Sequence, residues 1–394
     1  MSKLGELIKE LCPNGVEYKA IEAVTTMHRG IRVVKRNLEA DGLYPVYQNS
    51  LTPLGYMKEK NCDAGTTFVI AAGAAGEVGF SSIDFWAADD CYYFDNNELL
   101  DGCYLYHVLL SKQYYLFSQV RKASIPRLGR GIIEKMIIPV PPLEIQHEIV
   151  HILDNFMELT TELTTELTAR KKQYEFYRNQ LLTMSKCSGE VLPLGKIIHT
   201  LKTGLNPRQN FKLNESGADY YYVTGKDVYD NAIHVSEKTD KIASDVVALI
   251  NKRACLQDDI LLFVSTGTGT VGRMAVIDKY DGTWNVSETI YCIKTTDRVL
   301  SKYLMYFLYS TNAREQFEPK ISKGSVPHLK VSDLLNVKIP VPTIDTQKKL
   351  VRVLDNFDSI CSDLNIGLPA EIEARQKQYE YYRDKLLTFK ELRE

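Results

Sequence analysis

Apolar side chains recur at alternating steps of four and three residues through the middle of the chain. They fall at Ile145, Ile149, Ile152, Phe156, Leu159 and Leu163, and then at Tyr174, Tyr177, Leu181 and Met184. This spacing is typical of a helix with one apolar seam, as in a coiled coil. Pro141 and Pro142 mark a helix start and Gly189 a stop. The pattern therefore predicts one helix of roughly 40 residues and about 60 Å.

The same helical pattern occurs twice. The sequence ARKKQYEFYRNQLLTM at 169–184 returns as ARQKQYEYYRDKLLTF at 374–389, and IPVPPLEIQHEIVHILDNF at 138–156 returns as IPVPTIDTQKKLVRVLDNF at 339–357. A repeat of this length predicts a chain of two related halves.

The two helical copies differ between these shared motifs. The first copy contains ELTTELTTELTA at 158–169, a four-residue unit that places its leucines along one ridge of the helix. The second copy is four residues longer here and contains Gly367 and Pro369. These two residues predict a kink or a short interruption in the second helix.

Outside the helices, apolar residues come in short runs broken by Gly, Asn and Pro, which predicts sheet-rich domains. The runs are YPVYQNS, TTFVIAAG and CYYFD in the first half, and YYYVTGK, DDILLFVSTG, MAVIDKY and TIYCIKT in the second. Each half also contains one helical pattern, at 105–117 and 303–317, and residues 1–16 predict a short helix that packs near the C-terminal helix. We predict domains at 1–142 and 189–342 and spacer helices at 143–188 and 343–394.

Composition agrees with a folded protein of two or three domains. The chain has 394 residues, 44% of them hydrophobic, and a formal net charge of −2. No apolar run reaches the length of about 18 residues that spans a membrane, and the N-terminal segment lacks the apolar region of a signal peptide. We therefore expect a soluble, cytoplasmic protein. The eight cysteines are scattered without a C-x-x-C pair, which predicts reduced thiols and no metal site.

Motifs that would carry catalysis are missing or unconvincing. The sequence GTGTVG at Gly267–Gly272 fits the dinucleotide pattern, but strand-like MAVI follows it, where a phosphate site needs a helix. Neither a Walker sequence nor the tetrapeptide of amino-methyltransferases occurs. We therefore predict that this chain alone is not an enzyme.

The charge distribution is uneven. Four windows contain basic residues and no acidic ones, at 28–36, 121–130, 202–212 and 320–330, whereas acidic residues concentrate on the long helices. One surface could therefore meet a polyanion while another meets a protein. For any single window, a solvated loop is the alternative.

Side chains that suit nucleic acid lie in or beside these windows. Arginine and lysine contact phosphates, arginine also suits guanine, and asparagine or glutamine suits adenine. The candidates are Arg29, Arg32, Lys35, Arg36, Gln48, Asn49, Arg121, Lys122, Arg127 and Arg130 in the first half, and Lys202, Asn206, Arg208, Gln209, Lys212, Lys323, His328 and Lys330 in the second.

Each half has the same order of motifs: a divergent domain, S-x-P-x-L at 124–128 or 325–329, then I-P-V-P, a Gln, and a long helix that ends in QYExYR. This order resembles the specificity subunit of type I restriction-modification systems. The resemblance covers the whole chain. It implies an α+β fold in which two pseudo-repeated mixed α/β target recognition domains are joined by two long antiparallel coiled-coil helices.

The resemblance also implies partners. Each domain would read half of a bipartite double-stranded DNA target, and the helices would set the gap and bind two methyltransferase subunits. S-adenosylmethionine, ATP and Mg would belong to partner subunits, among them ATP-dependent restriction subunits, and no cofactor to this chain. The candidate methyltransferase interface consists of Tyr174, Tyr177, Arg178, Tyr379, Tyr382 and Arg383. A buried coiled-coil seam is the alternative role of these tyrosines.

Two other classes of function remain open at this point. The chain could bind structured RNA or tRNA through the helix pair as an arm. It could also be a scaffold protein that binds no nucleic acid.

Overall fold

The structure, a computed structural model, describes residues 2–122, 124–183, 189–362 and 367–392. It divides into two compact units. Unit 1 comprises the described residues of Met1–Thr164 and Glu371–Glu394, and unit 2 those of Thr165–Ala370. Within the described ranges, no helix is both long enough and apolar enough to cross a membrane.

Unit 1 combines small sheets with short helices. In chain order the elements are α1 (Lys3–Leu11), β1 (Glu17–Ala20), α2 (Ile21–Val24), β2 (Met27–Arg29), β3 (Tyr44–Tyr47), β4 (Gly55–Met57), β5 (Thr66–Ile70), β6 (Val78–Ser81), β7 (Trp86–Ala87), β8 (Cys91–Phe94), α3 (Gly102–Ser111), α4 (Gln113–Ser118), α5 (Arg130–Glu134) and β9 (Ile137–Val140). An antiparallel sheet has the order β2-β8-β5-β6, a second has the order β4-β3-β7, and β1 pairs with β9. Helix α6 (Leu143–Leu181) follows and continues into unit 2.

Unit 2 repeats this plan. Its elements are β10 (Glu190–Pro193), β11 (Ile198–Thr203), α7 (Pro207–Asn210), β12 (Tyr220–Val223), β13 (Val228–Tyr229), β14 (Ala232–Ile233), β15 (Lys241–Ile242), α8 (Ser244–Ala254), β16 (Leu261–Val264), β17 (Met274–Val276), β18 (Trp284–Val286), β19 (Ile290–Thr295), α9 (Ser301–Tyr309), α10 (Thr311–Phe317), α11 (Val331–Leu335), β20 (Lys338–Val341) and α12 (Ile344–Ser362). The sheets β11-β19-β16-β17, β15-β12-β18 and β10-β20 correspond to those of unit 1. In both units the second sheet contains one parallel pair, β3 with β7 and β12 with β18.

The long helices confirm the predicted fold class. Helix α6 has 39 residues, close to the predicted length. Where the second helix was predicted to be interrupted, α12 ends at Ser362 and α13 (Leu368–Leu386) begins, with Gly367 in a bend before it. Pro369 lies in the first turn of α13, where a missing N–H costs no helical hydrogen bond. Residues 363–366 and Met184 lie outside the described part of the chain.

Helix α6 packs against unit 1 over a wider face than the predicted seam. Ile145, Ile149 and Leu153 are fully buried in the core of unit 1, whereas Ile152 is only half-buried. Ile152 of the predicted seam packs at the edge of this core, and Leu153, which the seam did not include, lies inside it. Leu4 of α1 and Leu387 lie in the same core, which confirms the predicted N-terminal helix and its packing.

Three local predictions have clear outcomes. The helix predicted at 105–117 is divided into α3 and α4 at Lys112, and the helix predicted at 303–317 into α9 and α10 at Ser310. Ser310 has an extended backbone and donates its hydroxyl to the Phe307 carbonyl at 2.6 Å, which ends the first helix. The glycines at 267–272 are followed by strand β17 and not by a helix, which confirms the prediction against a dinucleotide site there.

A buried glutamine joins each domain to its long helix. In unit 1 the Gln146 Oε1 accepts from the Asp101 N–H at 2.9 Å, and Nε2 donates to the carbonyls of Leu99 at 2.8 Å and Pro141 at 2.7 Å. Gln347 in unit 2 makes the same three bonds, to Leu300 N–H at 2.9 Å and to the Arg298 and Pro342 carbonyls at 2.8 Å. Both side chains are fully buried. This explains why a Gln follows I-P-V-P in both halves.

We predict that Gln146→Leu lowers the free energy of unfolding by about 2–4 kcal/mol, because it removes three hydrogen bonds and leaves partner groups unsatisfied in a buried site. Urea unfolding monitored by circular dichroism measures the change, and Gln347→Leu should behave alike. Gln173→Leu, on the exposed surface of α6, is the control and should shift the value by less than about 0.5 kcal/mol. Equal values for Gln146→Leu and the control would contradict the prediction.

Candidate nucleic-acid interface

The S-x-P-x-L loop of unit 1 is held against the end of strand β5 by backbone hydrogen bonds. The Gly73 N–H donates to the Pro126 carbonyl at 3.2 Å, and the Leu128 N–H to the Ala71 carbonyl at 2.8 Å. In unit 2 the equivalent bonds run from Gly267 to Pro327 at 3.0 Å and from Leu329 to Ser265 at 2.9 Å. Because backbone groups make these contacts, the contacts can form with different side chains in the basic windows 121–130 and 320–330.

A glycine brings the other basic window of each unit against the second sheet. A Cβ at Gly30 would lie 2.1 Å from the Ala88 carbonyl oxygen, and one at Gly204 would lie 1.7 Å from the Val286 oxygen. No side chain fits at such distances. The Gly30 N–H donates to the Cys91 carbonyl at 3.0 Å, which fixes the start of the window in unit 1.

The end of the second sheet lies beside the first window of each unit, and in unit 1 hydrogen bonds also connect it to the segment that holds the second window. In unit 1 the Ala88 N–H donates to the Tyr47 carbonyl at 2.8 Å, and the Ala74 N–H donates to the Asn49 carbonyl at 2.9 Å. In unit 2 the Ser287 N–H donates to the Val223 carbonyl at 2.9 Å. We call residues 28–36, 48–50, 71–76 and 121–130 the basic edge of unit 1, and residues 202–212, 224–226, 265–270 and 320–330 the basic edge of unit 2.

Most candidate cations on the two basic edges are exposed and unpaired. The side chains concerned are Arg32, Lys35, Arg36, Arg121, Lys122 and Arg127 in unit 1, and Lys202, Arg208, Lys323 and Lys330 in unit 2. None of them forms an ion pair with a described residue. Their charges are therefore not neutralised within the described chain, and each edge carries a positive field that suits phosphates.

Other predicted contact residues already have structural partners. Arg130 pairs with Glu134 at 2.7 Å and donates to the Met27 carbonyl at 2.7 Å, and Lys212 pairs with Glu215 at 3.8 Å. Arg29 donates to the Asp89 carbonyl at 2.8 Å. These three side chains would have to give up a contact in order to bind DNA.

The uncharged polar candidates also differ in whether their side chains are exposed or already have hydrogen-bond partners. Asn49 is exposed, and Gln48 is half-buried. Asn206 caps the short helix α7 by accepting from the Arg208 N–H at 2.9 Å, and it donates to Glu288 at 2.9 Å. His328 Nδ1 lies 2.7 Å from the Thr266 hydroxyl. The Gln209 side chain lies outside the described residues.

Glu288 ties the basic window of unit 2 to strand β12. Its carboxylate accepts from the Asn206 amide and, at 3.1 Å, from the Tyr222 hydroxyl, which also donates to the Leu205 carbonyl at 2.7 Å. Burial and the nearby Glu288 charge raise the pKa of Tyr222. The hydroxyl therefore stays protonated and keeps donating at neutral pH, which anchors the window beside its exposed Arg208.

The aromatic candidates on the helices largely pack within their own units. In unit 2 the Arg178 guanidinium lies 5.3 Å from the ring centre of Tyr174, which is buried, and Tyr177 stacks on Phe357 at 5.7 Å. In unit 1 Arg383 lies 5.6 Å from the ring centre of Tyr379, and Tyr382 stacks on Phe156 at 5.3 Å. Burial raises the pKa of Tyr174 and of Tyr379. The buried seam, which was the alternative reading, describes Tyr174 best.

Sequence reasoning missed the exposed aromatic residue between these tyrosines. Phe176 is 57% exposed in unit 2, and Tyr381 is 61% exposed in unit 1. They occupy the same position of the repeated QYExYR motif. The repeat itself was the available signal, since the variable letter x is aromatic in both copies.

The prediction of no metal site also assumed that the histidines form no H-E-x-x-H pattern, and this assumption was wrong. Residues 147–151 read H-E-I-V-H, which is the helical zinc pattern of metalloproteases. Here Glu148 is turned toward α1, where it pairs with Lys3 at 2.5 Å, and the His147 side chain is 63% exposed. Across the described residues, no third ligand atom joins these two histidines. The motif therefore does not form a protease-type centre.

Comparison with known proteins places these features in a family. A model described as the type I restriction modification DNA specificity domain matches twice, at residues 13–171 and 189–374. A Haemophilus influenzae protein named as a type I restriction enzyme specificity subunit is 29% identical over 95% of this chain and 96% of its own length. The Escherichia coli EcoR124I/EcoR124II specificity subunit is 33% identical over 65% of this chain and 63% of its own.

A solved structure shows the same fold. The crystal structure of the type I restriction-modification S subunit from M. genitalium aligns with a TM-score of 0.58, at 16% identity, over 95% of this chain and 96% of that chain.

We predict that Gly30→Ala displaces the window at 28–36, because the added methyl would overlap the Ala88 carbonyl. Limited trypsin digestion should then cut this window faster than in the wild-type chain, since trypsin cleaves after its arginines and lysine. Gly131→Ala, in the same unit with nothing within 4 Å of the added carbon, is the control and should leave cleavage unchanged. An unchanged cutting rate in Gly30→Ala would contradict the close approach.

Proposed function

Since the chain belongs to the family of type I restriction-modification DNA specificity subunits, we propose that each of its two units reads one half of a bipartite double-stranded DNA target. The observation that carries this proposal is the presence of a basic edge at equivalent positions in both units. Family membership favours it over the RNA-binding and scaffold alternatives.

We propose that different side chains contact the DNA phosphates and the DNA bases. Exposed cations that pair with no described residue, such as Lys35, Arg121 and Lys323, suit phosphates, because long flexible side chains can follow the backbone of the duplex. Arg208 and Asn49 suit base edges, since each is exposed beside an anchored piece of backbone. The hydrogen-bonded backbone of each basic edge would position these side chains, and the side chains would recognise the DNA.

The two basic edges differ where recognition would differ. Unit 1 continues its first window as a 3-10 turn at Lys35–Asn37, whereas unit 2 has helix α7 there and adds the hairpin β13-β14 and helix α8. Different surfaces on one scaffold give two unrelated half-sites. The half-sites should therefore be independent of one another.

The long helices are the proposed site for two methyltransferase subunits. Phe176 and Tyr381 give each unit one exposed aromatic residue at the same position of the repeat, and aromatic side chains are enriched at the centres of protein interfaces. S-adenosylmethionine would bind to those partners, and ATP and Mg to the restriction subunits. This chain would contribute recognition without chemistry of its own.

We predict that Lys35→Gln/Arg36→Gln reduces the salt dependence of DNA binding. Loss of two phosphate contacts should lower the slope of log K against log salt by about 2, because fewer counterions are released. The measurement is fluorescence anisotropy of the assembled methyltransferase complex with a DNA that carries the methylated motif.

The control for this experiment is Lys58→Gln/Lys60→Gln in the same unit. Lys58 pairs with Glu39 and Asp41, and Lys60 with Asp63 and Asp84, so neither is free for phosphate. An equal loss of slope in both double variants would mean that binding follows net charge rather than the basic edge.

We predict that α6 sets the distance between the half-sites. Deleting Glu162–Thr165, one unit of the four-residue repeat, shortens the helix by about 6 Å and rotates it by roughly 40°. With base pairs about 3.4 Å apart, the non-specific gap in the methylated motif should shorten by about one or two base pairs. Sequencing of modified bases in a host that carries the variant gives the gap directly.

Glu162→Ala/Thr165→Ala, which changes the same positions without changing the length, is the control and should leave the gap as it is. An active deletion variant with the wild-type gap would exclude α6 as the spacer. Altered half-site sequences would exclude independent recognition units.

A further inference from the structure

Three side chains with metal-ligating atoms meet in unit 1, away from the basic edge. Cys103 and His107 lie one turn apart on α3, and Asp154 reaches them from α6. The His107 Nε2 is 3.1 Å from the Asp154 Oδ1 and 3.9 Å from the Cys103 Sγ, which is 3.8 Å from the same Oδ1. His107 is fully buried, and the Asp154 side chain is 53% exposed.

These separations fit the edges of a metal coordination tetrahedron. Zinc at its usual bond lengths places nitrogen and oxygen ligands about 3.3 Å apart, and sulfur about 3.5 Å from either of them. Each observed separation differs from this by less than half an ångström. A cation could therefore enter with small side-chain rotations, and the exposed side of Asp154 leaves room for a water molecule as the fourth ligand.

In metal-bound histidines, the ring nitrogen that does not bind the metal is usually hydrogen-bonded, and the corresponding nitrogen of His107 also has a hydrogen-bond partner. Its Nδ1 lies 2.9 Å from the Tyr379 hydroxyl on α13. When Nδ1 carries the proton and donates it to that oxygen, Nε2 presents its lone pair toward Cys103 and Asp154. The ring is buried, so this orientation is fixed by packing before any ion binds.

The equivalent position in unit 2 folds in the same way without a cysteine or a histidine. Tyr104 and Tyr303 correspond, since each donates its hydroxyl to the carbonyl of the first proline of I-P-V-P, Pro139 or Pro340. Positions 103, 107 and 154 then correspond to Lys302, Tyr306 and Asp355. There the Tyr306 hydroxyl donates to Asp355 at 2.6 Å, and the Lys302 Nζ lies 3.7 Å from the same carboxylate. Unit 2 thus satisfies the aspartate with a lysine and a tyrosine, whereas unit 1 has two metal-ligating residues in their place.

We propose that Cys103, His107 and Asp154 bind a zinc ion that ties α3 to α6 and, through Tyr379, to α13. On binding, the Cys103 thiol loses its proton to solvent, and the thiolate, the neutral imidazole and the carboxylate coordinate the ion. Burial and the Asp154 charge raise the pKa of the Cys103 thiol. The cation supplies the positive charge that Lys302 supplies in unit 2.

The test is metal binding by the purified full-length chain. The chain should hold one zinc ion per molecule, and after removal of zinc with a chelator, Co²⁺ should produce the near-ultraviolet charge-transfer band of a thiolate ligand. Zinc should also raise the Tm of the chelator-treated chain. The paired substitution Cys103→Lys/His107→Tyr installs the unit 2 arrangement, so it should fold, lose the cobalt band and show a Tm that zinc does not change.

Cys12→Ser removes a half-buried cysteine of the same unit that is outside the cluster and is the matched control; the band and the zinc content should remain. The proposal is overturned if the wild-type chain gives no cobalt band, or if the band survives in Cys103→Lys/His107→Tyr. Loss of the band in Cys12→Ser but not in the paired variant would assign the thiolate to a different site.

Discussion

The junction between each domain and its long helix depends on one buried amide side chain. Gln146 and Gln347 each satisfy one backbone N–H and two carbonyls, and in each case one of these carbonyls belongs to the last proline of I-P-V-P. Nothing apolar can replace three directed bonds in a buried site without leaving partners unsatisfied. Because the same bonds occur in both units, the domain meets its helix in the same way twice, although the loops above the junction differ.

In the basic edges, backbone hydrogen bonds hold much of the loop structure, and many of the exposed side chains take no part in it. In both units, main-chain hydrogen bonds hold the S-x-P-x-L loop against the end of a central strand, and in unit 1 they also join that strand end to the end of the second sheet. Exposed side chains such as Arg32, Lys35 and Arg121 take no part in these bonds and can vary without releasing the loop, whereas Asn206 and His328 also help to hold it. Under the proposed function, such a scaffold could change the DNA sequence that it recognises without loss of fold, because most of the side chains proposed to contact DNA are not the groups that stabilise the loop.

The sequence predicted the parts of this structure that follow from periodicity and repetition. The long helix, the duplicated halves, the strands around the glycine turns and the interruption before Leu368 all leave local signals. The fully buried position of Leu153 was missed, because a helix that covers a domain buries a different face from a helix in a simple pair. The ion pairs of Arg130 and Lys212 were also beyond reach, since Glu134 and Glu215 lie outside the windows in which charge was counted. Tyr174 was expected at an interface but is buried and stacks on Phe357, and Phe176 was not considered although it is exposed. Packing in three dimensions decides which face of α6 is covered, and the local sequence does not show it.

The division of the chain between the two units has a consequence for biosynthesis. Unit 2 is continuous, from Thr165 to Ala370, whereas unit 1 needs residues of Glu371–Glu394 in addition to the first part of the chain. Leu387, which lies in the core of unit 1, and the Lys390 carbonyl, which accepts from the Val16 N–H at 2.9 Å, leave the ribosome after all of unit 2. Unit 2 can therefore complete its core during translation, whereas unit 1 keeps part of its apolar surface uncovered until residues 371–392 have been made. Loss of residues 371–392 would therefore damage the N-terminal domain rather than unit 2, which precedes them in sequence.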